Sequence, residues 1–366
     1  MAFQCGIVGL PNVGKSTIFN ALTKASVPAE NYPFCTIEPH VGIVPLPDPR
    51  LKELEKIFHP EAVTPATVEF TDIAGLVRNA SKGEGLGNQF LGQIRQVTAI
   101  IHVVRCFEDD NIPHVEGTVD PVRDAELVTT ELLMADLDTL EKRLKKVSKA
   151  STSLDKKSRQ ELETLEQLQQ HLDSGQMART FQTNPKSLPL IRSLFLLTRK
   201  PILYVANVDE DEITRSQRSQ YVQRLFDHAE REGNLAIRLC GKLEHEISRL
   251  PEEEKELFLA EYNLPEPGLN KLIHAGFKLL GLETFFTGGP KEVRAWTIKV
   301  GTTAPEAAGE IHSDFRRGFI KAEVYKYDDL IRLGSEKAVK EAGLVQLQGK
   351  EYLVQDGDCI FFHFNV

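Results

Sequence analysis

Gly9-Leu10-Pro11-Asn12-Val13-Gly14-Lys15-Ser16 decides the fold, because it satisfies G-x-x-x-x-G-K-[ST] at every fixed position. An apolar run, Phe3 to Val8, precedes it, and Thr17-Ile18-Phe19-Asn20-Ala21-Leu22 follows with helical character. Strand, glycine-rich loop and helix in that order make a phosphate cradle. Loop N–H groups wrap the phosphates and the helix N-terminus adds positive potential. In such a loop Asn12, Val13, Gly14, Lys15, Ser16 and Thr17 are the candidate phosphate contacts. Lys15 is expected to reach the β- and γ-phosphates, and the Ser16 hydroxyl to ligate Mg²⁺. The chain is therefore expected to bind a nucleoside triphosphate.

Asp72-Ile73-Ala74-Gly75 supplies a second part, D-x-x-G at the end of the β-rich run Thr67–Thr71. Asp72 is placed to hold the Mg²⁺ shell, and the Gly75 amide to sense the γ-phosphate. Thr36, in Pro33-Phe34-Cys35-Thr36-Ile37, is the candidate second hydroxyl on the metal. Ser81 to Leu91 carries glycines at 83, 85 and 87, as a segment that orders around a γ-phosphate would.

The base end departs from the guanine pattern. N-K-x-D would place an Asp to accept from guanine N1–H and the 2-amino group; the chain reads Asn207-Val208-Asp209-Glu210. Adenine offers neither donor, so a site without that pairing has no reason to reject it. The motif thus leaves adenine open, with Asn207 and Glu210 at the base edge, and the preference for adenine comes mostly from the resemblance given below. The alternatives are that Glu210 still reads guanine, or that Asp209 or Asp211 takes that role. Leu76 directly follows D-x-x-G, where a Gln would orient the attacking water. Another group must then act, or turnover is slow. His114, in the polar segment Glu108–Asp120, is one candidate. Asn12 is another, through a K⁺ ion bridging the phosphates.

The 366 residues suffice for two or three domains, and the net charge of −9 excludes a generic nucleic-acid binder. Five scattered cysteines give neither a zinc pattern nor a disulfide framework. No signal peptide or long apolar span is read, so a cytoplasmic location, no membrane partner and no DNA specificity are expected. Residues 1 to about 120 alternate strand and helix patterns, as a parallel α/β sheet does. Leu133, Leu137, Leu140, Leu144 and Val147 then form a heptad seam, and Leu162, Leu165, Leu168 and Leu172 a second helical run. An antiparallel hairpin inserted at about 124–198 follows. Its tip holds eight basic residues and one acidic residue between 142 and 159, either a solvated helix surface or an RNA-facing patch. The α/β pattern resumes at Pro201–Ala206 and Leu235–Leu239. Beyond Leu282, short strands at Ala295–Val300, Phe319–Glu323, Glu351–Val354 and Cys359–Phe364, with one helix near Lys337–Glu341, read as a small α+β module.

Together these features resemble the Obg-related P-loop NTPases, and within them the YchF/Obg-like ATPase family. The resemblance rests on Gly9–Thr17, Asn31–Ile37, Asp72–Leu76, Ser81–Leu91, Asn207–Glu210, Phe286-Thr287-Gly288-Gly289, Arg294-Ala295-Trp296 and Gly309–Phe315, and it spans Met1 to Val366. It implies a Ras-like P-loop domain over 1–280, with the coiled-coil hairpin inserted, and a TGS domain over 281–366. It further implies Mg²⁺-dependent hydrolysis of ATP in preference to GTP, and association with ribosomes or ribosomal RNA through the hairpin tip and the TGS domain. Ser16 and Thr36 would bind Mg²⁺, Asn12 to Thr17 the phosphates, and the Val208 main chain would lie at the base. Leu239-Cys240-Gly241-Lys242-Leu243-Glu244 departs from the usual S-A-K-like base loop. A GTPase of ribosome assembly and a nucleotide-controlled regulatory protein of the stress response are the competing readings.

Overall fold

Twelve strands run along the described part of the chain: β1 (Gln4–Val8), β2 (Val41–Pro45), β3 (Ala62–Thr64), β4 (Thr67–Asp72), β5 (Ala99–Arg105), β6 (Ile202–Asn207), β7 (Leu235–Leu239), β8 (Leu282–Thr287), β9 (Glu292–Lys299), β10 (Phe319–Lys326), β11 (Gln346–Gln348) and β12 (Asp358–Phe364). The computed structural model describes residues 3–24, 40–73, 86–150 and 156–365. These strands form two six-stranded sheets, ordered β2-β4-β1-β5-β6-β7 and β11-β10-β12-β8-β9-β3. The chain packs as two compact units, Met1–Gly42 with Glu69–Lys271, and Ile43–Val68 with Leu272–Val366.

In the first unit β1 lies between β4 and β5 and pairs with both in parallel. Every residue of β5 is buried, as an apolar strand covered on two faces should be. Register explains why distant motifs meet. Ile7 pairs with Asp72, Arg105 with Asn207, and Asn207 with Leu239, so all these positions reach the carboxyl edge of the sheet together. That edge, where the order changes direction at β1, is where open parallel sheets bind ligands.

The heptad seam is realised. Helices Pro121–Ala150 and Lys156–Asp173 pack together around buried Leu140, Leu165, Leu168 and Leu172, with Leu133, Leu137, Leu144 and Val147 against them. Arg143 and Glu161 pair across the two helices. Asp136 anchors the returning chain. Its buried carboxylate accepts from Leu197 N–H at 2.7 Å, Thr198 N–H at 2.8 Å and the Thr198 hydroxyl at 2.7 Å. Burial raises its pKa against those hydrogen bonds.

The second unit is built on Phe285, Ile298, Ala307, Ala308, Phe319, Ala322, Val324, Ile360 and Phe362. Residues 43–68, read from sequence as part of the first domain, pack here. β3 runs parallel to β9, with Val63 opposite Val293. Arg50, in the helix Pro49–Phe58, bonds Asp48 and Asp356 and lies 4.8 Å from the centre of the Phe286 ring. The strand expected at Glu351–Val354 is instead a loop. Its main chain is drawn to the start of the helix Ala304–Ile311, where Ala304 N–H donates to Tyr352 O at 2.8 Å and Val354 N–H to Thr302 O at 3.0 Å. The helix near Lys337–Glu341 is present as Glu336–Glu341.

Candidate nucleotide site

The loop after β1 has cradle geometry because its backbone is forced through conformations few residues adopt. Gly14 has φ of 95°, and a Cβ there would stand 2.3 Å from Asn207 Nδ2. Only glycine avoids both the strain and the overlap. Asn12 is also left-handed, at φ 61°. The Asn12 amide nitrogen donates to Pro113 O at 3.2 Å, tying the loop to the segment after β5. Helix Lys15–Lys24 begins at once, with Ile18 N–H donating to Gly14 O at 3.1 Å.

Lys15 is buried and donates to Leu10 O at 2.7 Å. Burial lowers its pKa from 10.5 to about 8, with Asp72 pulling the other way. The Ser16 hydroxyl donates to Asp72 Oδ2 at 3.1 Å. Asp72 Oδ1 and Thr71 Oγ1 are buried without a hydrogen-bond partner. A hydroxyl and a carboxylate with one unsatisfied oxygen form a hard oxygen donor set, which fits Mg²⁺.

A cleft of about 400 Å³ continues from the loop, lined by Asn12, Gly14, Thr17, Asn207–Asp211 and Cys240–Lys242 among others. Asn207 organises it. Its Nδ2 donates to Val13 O at 2.8 Å, and its Oδ1 accepts from Gly241 N–H at 2.9 Å. One side chain thus joins the phosphate loop to the loops after β6 and β7. Val208 is buried, and its N–H donates to Leu239 O at 3.0 Å. Asp209 caps the short helix Glu210–Thr214, accepting from Glu212 N–H at 2.8 Å. Glu210 pairs with Lys242, Nζ to Oε1 at 2.8 Å.

His114 is not the exposed loop histidine its surroundings in sequence suggest. Its side chain is 5% exposed. Nδ1 accepts from Glu116 N–H at 3.1 Å, so Nε2 carries the proton donated to Asp124 Oδ2 at 2.8 Å. Burial raises the Asp124 pKa, opposed by Arg123 and His114. Both ring nitrogens are engaged in this conformation.

Sequence reading overlooked Arg105, which shapes the wall beside the cleft. It is 2% exposed and donates to three main-chain oxygens, Phe107 at 3.0 Å, Ile112 at 2.8 Å and Asp109 at 3.1 Å. Its signal was a cation ending an otherwise apolar strand. Thr36, Gly75, Leu76, the Asn31–Ile37 stretch, Ser81–Gly85 and the hairpin connection 151–155 lie outside the described residues. Among the described residues no helix is long and apolar enough to cross a membrane, and no cluster of His, Cys, Asp or Glu could hold a metal ion by itself.

Comparison with known proteins agrees along the whole chain. Residues 4–153 match a family model described as 50S ribosome-binding GTPase, and residues 282–365 match YchF-GTPase_C, described as a protein of unknown function. The chain is 53% identical to the ribosome-binding ATPase YchF of Haemophilus ducreyi over 366 residues, covering 100% of both chains. It is likewise 53% identical to the Bacillus subtilis protein of the same name, again over 100% of both. The solved structure of the Schizosaccharomyces pombe YchF GTPase superposes with a TM-score of 0.88 at 38% identity, covering 99% of this chain and 97% of that one. Fold, site and full-length similarity agree: the chain belongs to the YchF family.

Proposed function

We propose that this protein is a Mg²⁺-dependent ATPase that hydrolyses ATP to ADP and phosphate as a slow nucleotide switch, and that it binds ribosomes, on the 50S or 70S particle, or their RNA. Its full-length relatives named ribosome-binding ATPase support both halves. The single observation that favours ATP is the base end of the cleft. Val208 stands buried where a lysine would lie, and the Glu210 carboxylate is paired with Lys242 instead of standing free to accept from guanine.

In this reading residues 1–280 form the nucleotide domain, with 43–68 and 272–280 packing in the second unit, and 281–366 form the TGS module. Asn12 to Thr17 hold the phosphates, with Gly75 at the γ-phosphate and Asn207, Val208 and Glu210 at the base. Ser16, Thr36 and Asp72 would hold Mg²⁺, which when bound would supply charge neutralisation at the phosphates. Lys15 gives up its bond to Leu10 O and turns its ammonium to the phosphate oxygens. Asn12 helps hold a K⁺ ion against them. His114 orients the attacking water by donating from Nε2–H once that bond to Asp124 opens. The switch works in the cytoplasm, and the hairpin tip and TGS module face the ribosome.

The deciding experiment is parallel titration with non-hydrolysable ATP and GTP analogues and Mg²⁺, for the native protein and Glu210→Asp. Tighter ATP binding by the native protein is the expected result; tighter GTP binding would overturn it. The second reading, a GTPase of ribosome assembly, is favoured by the 50S ribosome-binding GTPase model over residues 4–153. Ribosome binding is tested by co-sedimentation across a salt series, with the hairpin lysines replaced. A slope on salt that is unchanged by the replacements would remove the hairpin as the contact.

A further inference from the structure

The two walls of the base end come from different loops. Glu210 opens the short helix after β6, and Lys242 stands in the helix Gly241–Ile247 after β7. Both line the cleft, and their 2.8 Å ion pair joins one wall to the other. We infer that Lys242 is a positioning residue for base choice: by holding Glu210 in this ion pair it keeps the carboxylate from reading guanine. The inference rests on the adenine preference proposed above.

Guanine is read by a carboxylate through two bonds at once, one from N1–H and one from the 2-amino group. Both need an oxygen turned into the cleft. A carboxylate already facing an ammonium gains less from neutral N–H donors, because ion pairs and charge-assisted bonds are the stronger competitors. Adenine has neither donor and leaves the pair closed.

Neighbouring polar groups of this end are partly engaged. Asp209 is committed to the helix cap through Oδ1. Gly241 N–H, a donor facing this end, is committed to Asn207 Oδ1. Asn207 Nδ2 donates one of its two N–H groups to Val13 O. Asp209 and Asp211 also line the cleft, but Glu210 stands at the position of the N-K-x-D aspartate, so its carboxylate is the one whose freedom bears on guanine, and Lys242 limits that freedom.

The size of the effect is bounded. The Lys242 side chain is 74% exposed and that of Glu210 32%. Guanine has only to outcompete a water-screened pair, so Lys242 accounts for at most about fivefold of the ATP:GTP ratio.

The test measures dissociation constants of non-hydrolysable ATP and GTP analogues with Mg²⁺ for the native protein, Lys242→Met, Lys242→Arg, Glu210→Gln and the Lys242→Met/Glu210→Gln double variant. The ratio cancels any general effect of removing a positive charge from the nucleotide site. Lys242→Met is expected to shift the ratio toward GTP by a few-fold. Lys242→Arg should keep the native ratio, and the shift should vanish when Glu210 is already Gln. High salt should move the native protein toward the Lys242→Met value, because screening weakens the pair. A Lys242→Met ratio equal to native overturns the inference, and so does the same shift in the Glu210→Gln background. Native preference for GTP is a different failure, since it removes the adenine reading itself.

Discussion

Replacing Asn207 by Ala is the sharpest probe of how the site is held together. Asn207 is 5% exposed and satisfies two main-chain groups, Val13 O at 2.8 Å and Gly241 N–H at 2.9 Å. Truncation strands both at once. Each buried group left without a partner costs about 1–3 kcal/mol, and water entering from the adjoining cleft recovers part, so a loss of about 3 kcal/mol is expected. Asn207→Asp separates the two halves. It keeps an acceptor for Gly241 N–H but turns a second acceptor, now charged, toward Val13 O. It is expected to fare no better than Ala. Urea unfolding of the nucleotide-free proteins gives the stability change, and titration with an ATP analogue gives the binding change. An Ala variant within about 0.5 kcal/mol of native stability would show that these two bonds do not clamp the loops, and would refute the reasoning.

Lys15→Met is expected to abolish ATP binding yet raise the stability of the nucleotide-free protein. A pKa drop from 10.5 to about 8 makes the buried ammonium a burden of about 3 kcal/mol at neutral pH. Between those two values the unfolded chain binds more protons than the native one. Native stability should therefore climb with pH across that window, and its gap to Lys15→Met should close; unfolding curves at pH 7.5 and 10 check the sign. Asp136→Ala removes the acceptor of three buried hydrogen bonds and is expected to cost about 3 kcal/mol in thermal or urea unfolding while leaving nucleotide affinity near native. His114→Ala should lower the ATP turnover rate with affinity retained, whereas full turnover would remove His114 from catalysis.

Motifs set by local chemistry were legible in the sequence. The phosphate loop, Asp72 at the end of β4 and Asn207 at the end of β6 announce themselves by residue type and by the strands before them. The heptad leucines likewise gave the hairpin, because helical spacing is a local property. What stayed hidden was non-local. Nothing in Ala62–Thr64 says that its partner is β9, some 230 residues away. The polar run around His114 suggested exposure, since the carboxylate that buries it, Asp124, sits in the first turn of the following helix. Lys242 and Glu210 are each ordinary surface residues until β6 and β7 pair and bring them together.

The Arg105 clasp has a consequence for how this wall of the cleft can evolve. Its three acceptors are carbonyl oxygens of Phe107, Asp109 and Ile112, and every residue type carries a carbonyl. The loop's shape is therefore insured against substitution within it, while the side chains of Glu108, Asp110 and Asn111 take no part in the clasp, although Glu108 accepts from Tyr221 and Asn111 donates to Asp109. A library randomised at those three positions, with Arg105 left in place, is the natural starting point for redesigning what this wall presents to a ligand.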